Sequence, residues 1–161
     1  MDERLRHLVA NCAAETSSGQ RQIRHRASVD NHGVTNARNR QRTLERIRGI
    51  CLALPETNER LSHGAPTFFV RDKRPFVMVL TDYHGDGRFA IWCPAPAGLQ
   101  QMLVEADPER FFVPPYVGHR GWLGVRLDRG LDWDELAGMV EDAYAEVAPP
   151  KLVEAARQER D

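Results

Sequence analysis

From Thr43 onward the apolar positions switch between a helical and a strand period. Leu44, Ile47, Cys51 and Leu54 recur at helical spacing, so a helix is expected from an N-cap at Thr43 to a stop at Pro55. After the turn Pro55-Glu56-Thr57 come short apolar runs near residues 59–62, 67–70, 75–80 and 88–93. Their turn-rich boundaries predict strands. Arg71-Asp72-Lys73-Arg74 joins two of them as a tight hairpin, and Tyr83-His84-Gly85-Asp86-Gly87 is a second turn whose Asp-Gly is a hairpin signal. Pro94-Ala95-Pro96 then starts a helix with Leu99, Met102, Leu103 and Ala106 on one face, ended by Asp107-Pro108. Residues 111–121 read as a Pro/Gly-rich passage and 122–127 as a further strand. Asp132 and Glu135 predict a capping box for a helix carrying Trp133, Leu136, Ala137, Val140, Tyr144 and Val147. Pro149-Pro150 closes it, and a short final helix runs from about Lys151.

Helix, meander, helix, strand and helix in that order predict an α+β fold, an antiparallel sheet of about five strands with helices packed on it. The unit spans 43–158. A domain of this size buries roughly two-thirds of its unfolded surface and folds without a disulfide or metal. Residues 1–42 are expected to be a disordered basic extension. Between Thr16 and Gln41 only Ile23, Val29 and Val34 are large apolar residues, too few to offset the entropy of ordering. Its arginines and histidines could alternatively serve as a nucleic-acid-binding arm.

Charge sharpens this division. The first 42 residues carry a net +4 and residues 43–161 a net −5, within a total of −1. Non-specific nucleic-acid binding depends on neutralising phosphates, so the acidic balance weighs against a large DNA-binding face, although a local basic patch is compatible with it. No apolar stretch approaches the roughly 18 residues of a membrane span, and the first ten residues lack a signal-peptide core. The expectation is a cytoplasmic protein without a membrane partner.

The candidate chemistry is sparse. Three cysteines, Cys12, Cys51 and Cys93, stand at wide spacings with no CxxC pair; Cys51 and Cys93 lie in apolar runs and are expected in the core. His63, His84 and His119 fall in turns without metal-ligand spacing. Cys93 before Pro94 could pair with a histidine as a nucleophile, but nothing supplies an oxyanion hole. No GxSxG, GxGxxG or phosphate loop occurs. No catalytic residue, metal or cofactor is therefore expected. Two surfaces remain. Arg71, Lys73 and Arg74 on one hairpin tip, with Arg88 on the neighbouring hairpin, could form a basic edge able to enter a DNA groove. Within residues 112–122, Tyr116, His119, Arg120 and Trp122, joined by His63, could form a recognition surface combining aromatic stacking with an Arg or His for an anion. The competing account is a long loop pinned by its own aromatics.

The order and spacing of several segments resemble the MmcQ/YjbR family over about residues 43–156. They are Leu54-Pro55-Glu56-Thr57, His63-Gly64-Ala65-Pro66-Thr67-Phe68, Lys73 with Phe76, and Phe111-Phe112-Val113-Pro114-Pro115-Tyr116-Val117-Gly118. Gly121-Trp122-Leu123-Gly124-Val125 and Tyr144 before Lys151-Leu152 complete the set. The resemblance implies a fold similar to frataxin/CyaY proteins and a non-enzymatic DNA-binding role through a "double wing", a label drawn from fold alone. The wings would be the hairpins around 71–74 and 84–88, contacting phosphates through Arg71, Lys73, Arg74 and Arg88. Two features depart from the pattern: His84 and two glycines in the 81–87 loop, and the acidic domain. The alternative function is a small-ligand or protein-interaction module at Tyr116–Trp122, with a small anionic ligand or a protein as partner. Iron handling by analogy to the frataxin-like fold stands a distant third, because the first helix contributes only Glu45 towards an acidic ridge.

Overall fold

In a computed structural model the described residues are 31–159, with the side chains of 31, 32, 34 and 35 left aside. The element order is α1 (Asn31–Leu52), β1 (Thr57–Ser62), β2 (Ala65–Val70), β3 (Arg74–Thr81), β4 (Phe89–Pro94), α2 (Leu99–Ala106), β5 (Phe111–Phe112), β6 (Trp122–Arg126), α3 (Trp133–Val147) and α4 (Pro150–Gln158). The strands form one antiparallel sheet in the order β1-β2-β3-β4-β6-β5. Six strands replace the expected five, because Phe111–Phe112 at the start of the Pro/Gly-rich passage pairs with β6. Two residues are too few to show a period.

α1 is already helical at Asn31, the first described residue, so Thr43 lies inside the helix rather than capping it. The helix start expected at Thr43 is therefore corrected, residues 31–42 being helical, while the expectations placed on 1–30 lie outside the described residues. The reason is cooperative. Ile47 and Cys51 are fully buried and anchor the C-terminal half. Propagating a nucleated helix costs far less than starting one, so the exposed residues 36–42 continue it.

The helices pack on one face of the sheet. There Ile47 and Cys51 of α1, Leu99 and Leu103 of α2, Leu136, Val140 and Tyr144 of α3, and Leu152 of α4 meet Phe68, Val77, Ile91, Leu123 and Val125. A one-residue slip sharpens this packing. Phe68 pairs with Val77 but Phe69 with Pro75, leaving Phe76 as a bulge residue. Both Phe76 and Val77 are consequently fully buried on the helical side. Phe76 meets the Tyr144 ring edge-on at 5.7 Å, and Tyr144 Oη donates a 2.8 Å hydrogen bond to the Pro55 carbonyl. On the same side Arg48 of α1 forks onto Glu59 of β1 through Nε and Nη2, at 2.7 and 2.8 Å.

Asp132 caps α3 as expected, accepting from Asp134 N and Glu135 N at 2.9 and 3.0 Å. Glu135 does not complete the box. Its carboxylate binds Arg110 instead, because a buried guanidinium competes for it more strongly than an exposed backbone amide.

The Tyr144 hydroxyl provides a clean test of how the turn before β1 is held. Tyr144→Phe keeps the ring against Phe76 and leaves the Pro55 carbonyl without its donor, which should cost about 1–2 kcal/mol in urea unfolding. A variant as stable as the parent would mean that this carbonyl is satisfied by solvent.

Candidate functional site

The face of the sheet away from the helices is apolar as well. All six residues of β4 are buried, which requires cover on both sides. Ala65, Leu80, Ala90, Trp92 and Phe112 form a second cluster there, joined by Met78, Tyr83, Val117 and Trp122. The cover comes from the passage between β5 and β6. Gly124 lets it begin: the Phe112 ring lies where a Cβ of residue 124 would stand. Gly118 lets it turn, since a Cβ there would strike the Val113 side chain. Gln100 of α2 then ties the loop down, its Nε2 donating to the Gly118 carbonyl at 2.8 Å and to the Trp122 carbonyl. The residues 118–120 make a single 3-10 turn.

Between this loop and the β1–β2 turn runs a groove of about 420 Å³. Its floor is Ala65, Thr67, Met78, Leu80 and Trp92; Ser62 and His63 form one side, Tyr116, Val117, Arg120 and Trp122 the other, with Tyr83 and Pro75 towards its ends. From Pro75 to Leu80 the floor follows β3 for five residue steps, roughly 17 Å at the usual rise per residue. Arg120 is the one guanidinium in this lining, and no carboxylate joins it among the described residues. Arg120 is exposed, and its side chain makes no hydrogen bond or ion pair among the described residues. Among the described residues seven non-glycines have positive φ, and two of them belong to the rim, His63 (φ 52°) and Tyr116 (φ 63°). Such backbone geometry costs roughly 1–3 kcal/mol and concentrates at functional positions. Tyr116 is also 73% exposed, and the Ser62 hydroxyl and His63 Nδ1 lie 3.1 Å apart.

Four of the five residues expected to form a recognition surface thus converge: His63, Tyr116, Arg120 and Trp122. His119 shares the 3-10 turn with Arg120 but stands outside the groove lining. Sequence reasoning missed Tyr83, Trp92, Met78 and Leu80. The signal was present in the uninterrupted apolar run Phe89–Pro94, which marks a strand covered on both faces.

The basic hairpin residues behave differently. Successive turns of a meander point in opposite directions. The turn at Arg71–Lys73 and the one before Arg88 therefore lie at opposite ends of the eight-residue β3, roughly 25 Å apart. They do not make one two-winged edge. Most of the charge is also engaged. Arg71 forks onto Glu56 and holds that carboxyl below the usual range by hydrogen bonding. Asp72 takes Arg60 at 3.0 Å. Arg74 donates to the Val147 carbonyl at 3.1 Å. Arg88 lies 4.3 Å over the Phe112 ring and 3.9 Å from Asp86. Lys73 is exposed, with no ion pair among the described residues.

Cys51 and Cys93 are buried in the helical-side core as expected. Burial, then the charge of Asp142, pushes the Cys93 thiol up to about 12. Cys93 thus lies in the helical-side core, whereas His63 lines the groove on the other face of the sheet. No cluster of three or more potential metal ligands occurs among the described residues, and no described helix is long and apolar enough to cross a membrane.

The YjbR family model matches residues 52–146. Deinococcus radiodurans protein DR2400, a DUF419-domain protein known from its crystal structure, is similar at 18% identity and a TM-score of 0.56, over 72% of this chain and 86% of that one. That likeness is one of fold. No curated protein sequence matches.

Gln100→Leu tests what holds the groove's wall. Loss of two hydrogen bonds to loop carbonyls should speed amide hydrogen exchange at Val117, Gly118 and Gly121 while costing about 1–2 kcal/mol globally. Unchanged exchange would show that the prolines and Val113 suffice to hold the loop.

Proposed function

The chain belongs to the YjbR family, and on that footing we propose that it is a non-enzymatic binding module whose groove, between His63 and the Tyr116–Trp122 loop, takes a small amphipathic anion. One observation carries this reading: an apolar, ring-lined groove with the unengaged guanidinium of Arg120 at its rim and no carboxylate beside it. Its volume falls in the range of about 300–1,000 Å³ usual for small-molecule sites, where a few polar groups orient a mostly apolar ligand. The strained, exposed Tyr116 supports it further, because an aromatic held out into solvent by a locked backbone is pre-organised for contact.

The aromatic sulfonate 1-anilinonaphthalene-8-sulfonate is a suitable probe. It should bind the full chain with one-to-one stoichiometry and enhanced fluorescence. Arg120→Glu should weaken it at least about tenfold, since a charge-assisted hydrogen bond contributes roughly 1.5–3 kcal/mol. Arg120 is exposed and the substitution leaves the fold intact, so equal affinity in the two proteins would sink the proposal.

A second reading, phosphate contact through Arg71, Lys73, Arg74 and Arg88, draws on the family resemblance and on the exposed Lys73. Its difficulty is that three of these four cations already have partners and that the set is divided between two ends of the sheet. Fluorescence anisotropy with labelled duplex DNA over a salt series decides it. Each phosphate neutralised contributes about −0.9 to the log–log slope. With three of the four cations engaged, we expect a slope shallower than about −2 that does not change in an Arg71→Glu/Lys73→Glu/Arg74→Glu variant. A steep slope lost in that variant would restore the tip as a DNA-binding wing.

A further inference from the structure

The groove's chemistry narrows its ligand beyond an amphipathic anion. Building on the groove as the binding site, and resting on that reading, we propose that the natural ligand is a planar aromatic monocarboxylate, its ring lying along the floor and its carboxylate on Arg120.

The charge of the ligand is set by the donors available. A guanidinium presents two parallel N–H groups that match the two oxygens of a carboxylate. A phosphate monoester carries close to two negative charges and three acceptor oxygens, and sites for it gather several cations or a cradle of backbone amides. Here one guanidinium faces the groove, and three amides in and after the neighbouring 3-10 turn bond carbonyls of their own loop: Gly118 N to Pro114, Arg120 N to Val117 and Gly121 N to Gly118, each at 3.0 Å. One monoanion matches this supply. A dianion leaves half its charge without a partner.

The shape of the ligand is set by the walls. Four rings, Tyr83, Trp92, Tyr116 and Trp122, meet the groove. Tyr83 and Trp92 already pack edge to face, with centroids 4.9 Å apart and planes at 74°, so their remaining surfaces are fixed in direction. Tyr116 comes after Pro114 and Pro115 and before Val117, whose amide bonds the Pro115 carbonyl at 2.7 Å. Its ring is therefore offered at little further entropic cost. Fixed rings favour an offset or edge-on aromatic partner, whereas a flexible acyl chain loses rotamer freedom when confined along a rigid sheet. Ser62 and His63, at the side opposite Arg120, add a polar pair suited to a ring substituent such as a hydroxyl.

Displacement of 1-anilinonaphthalene-8-sulfonate from the full chain, followed by calorimetry, separates the alternatives. 2-Naphthoate should displace the probe. Arg120→Gln should lower 2-naphthoate affinity by roughly tenfold or more and change the affinity for naphthalene-2-methanol, which has no charge, by less than about twofold. Trp122→Leu should weaken both compounds. If dodecanoate displaces the probe more effectively than 2-naphthoate, the aromatic assignment is overturned while the groove stands. Equal effects of Arg120→Gln on naphthoate and the alcohol would overturn the carboxylate assignment, and displacement by inorganic phosphate at matching concentration would overturn the monoanion. Failure of the sulfonate probe itself to bind would overturn the groove reading and this inference with it.

Discussion

The structure depends on a sheet that is apolar on both faces and, among the described residues, has α-helices packed on only one. β4 decides this. Ile91 and Cys93 face α1, α2 and α3, while Ala90 and Trp92 face the other way and are equally buried. Trp92 left open to water would forgo roughly 2–3 kcal/mol of apolar burial. Among the described residues no α-helix packs on that cluster, and the passage from β5 to β6 covers it. Phe112 over Gly124, Val113 against Gly118 and Gln100 on two carbonyls are the means by which an irregular segment is held against a flat surface.

A loop covers a sheet less completely than a helix does, and the groove is the part left uncovered. Its floor is as rigid as the sheet beneath, while its two sides come from turns whose backbones depart from the usual regions at His63 and Tyr116. The same uncovered face accounts for the arginines around it. Arg60 lies 4.0 Å over Phe69 and Arg88 4.3 Å over Phe112, where each guanidinium shields a ring from water as its acidic partner neutralises it. These cations serve the sheet. The Arg120 side chain has no such partner among the described residues.

The helices and long strands were legible because periodicity extends over many residues: Leu44 to Cys51, Trp133 to Val147 and the runs on either side of Arg71–Arg74 took the expected form, although α1 ends at Leu52, short of the expected stop at Pro55. Other features depended on tertiary context and left no local trace. β5 exists because two residues found β6 beside them. The Phe76 bulge exists because both Phe76 and Val77 gain by facing the helices. The early start of α1 depends on Ile47 and Cys51, well over a dozen residues further on. Site residues divided in the same way. Those in the dense segment Tyr116–Trp122 could be singled out by residue type, whereas Met78, Leu80 and Trp92 read as ordinary strand hydrophobics until the register put them on the open face. The two basic tips do not share one edge, for a topological reason. Arg74 and Arg88 are close in sequence, but an antiparallel strand lies between them and carries them to opposite ends.

The location of the groove within the chain bears on which part of the molecule carries the function. Every lining residue falls between Ser62 and Trp122, inside the portion that matches the family model, whereas the exposed first turns of α1 precede it. The net acidity of residues 43–161 is no obstacle to an anion site, because screening limits the reach of exposed charges to about 8–10 Å at physiological salt. Within that distance the composition of the lining governs, and there the balance is one guanidinium and a histidine with no carboxylate. For a duplex the balance reverses, since phosphates spread over roughly 25 Å of surface, at one charge per ~1.7 Å of helix axis, meet the acids of the whole molecule. The local charge therefore suits a small ligand where the global charge opposes a polyanion.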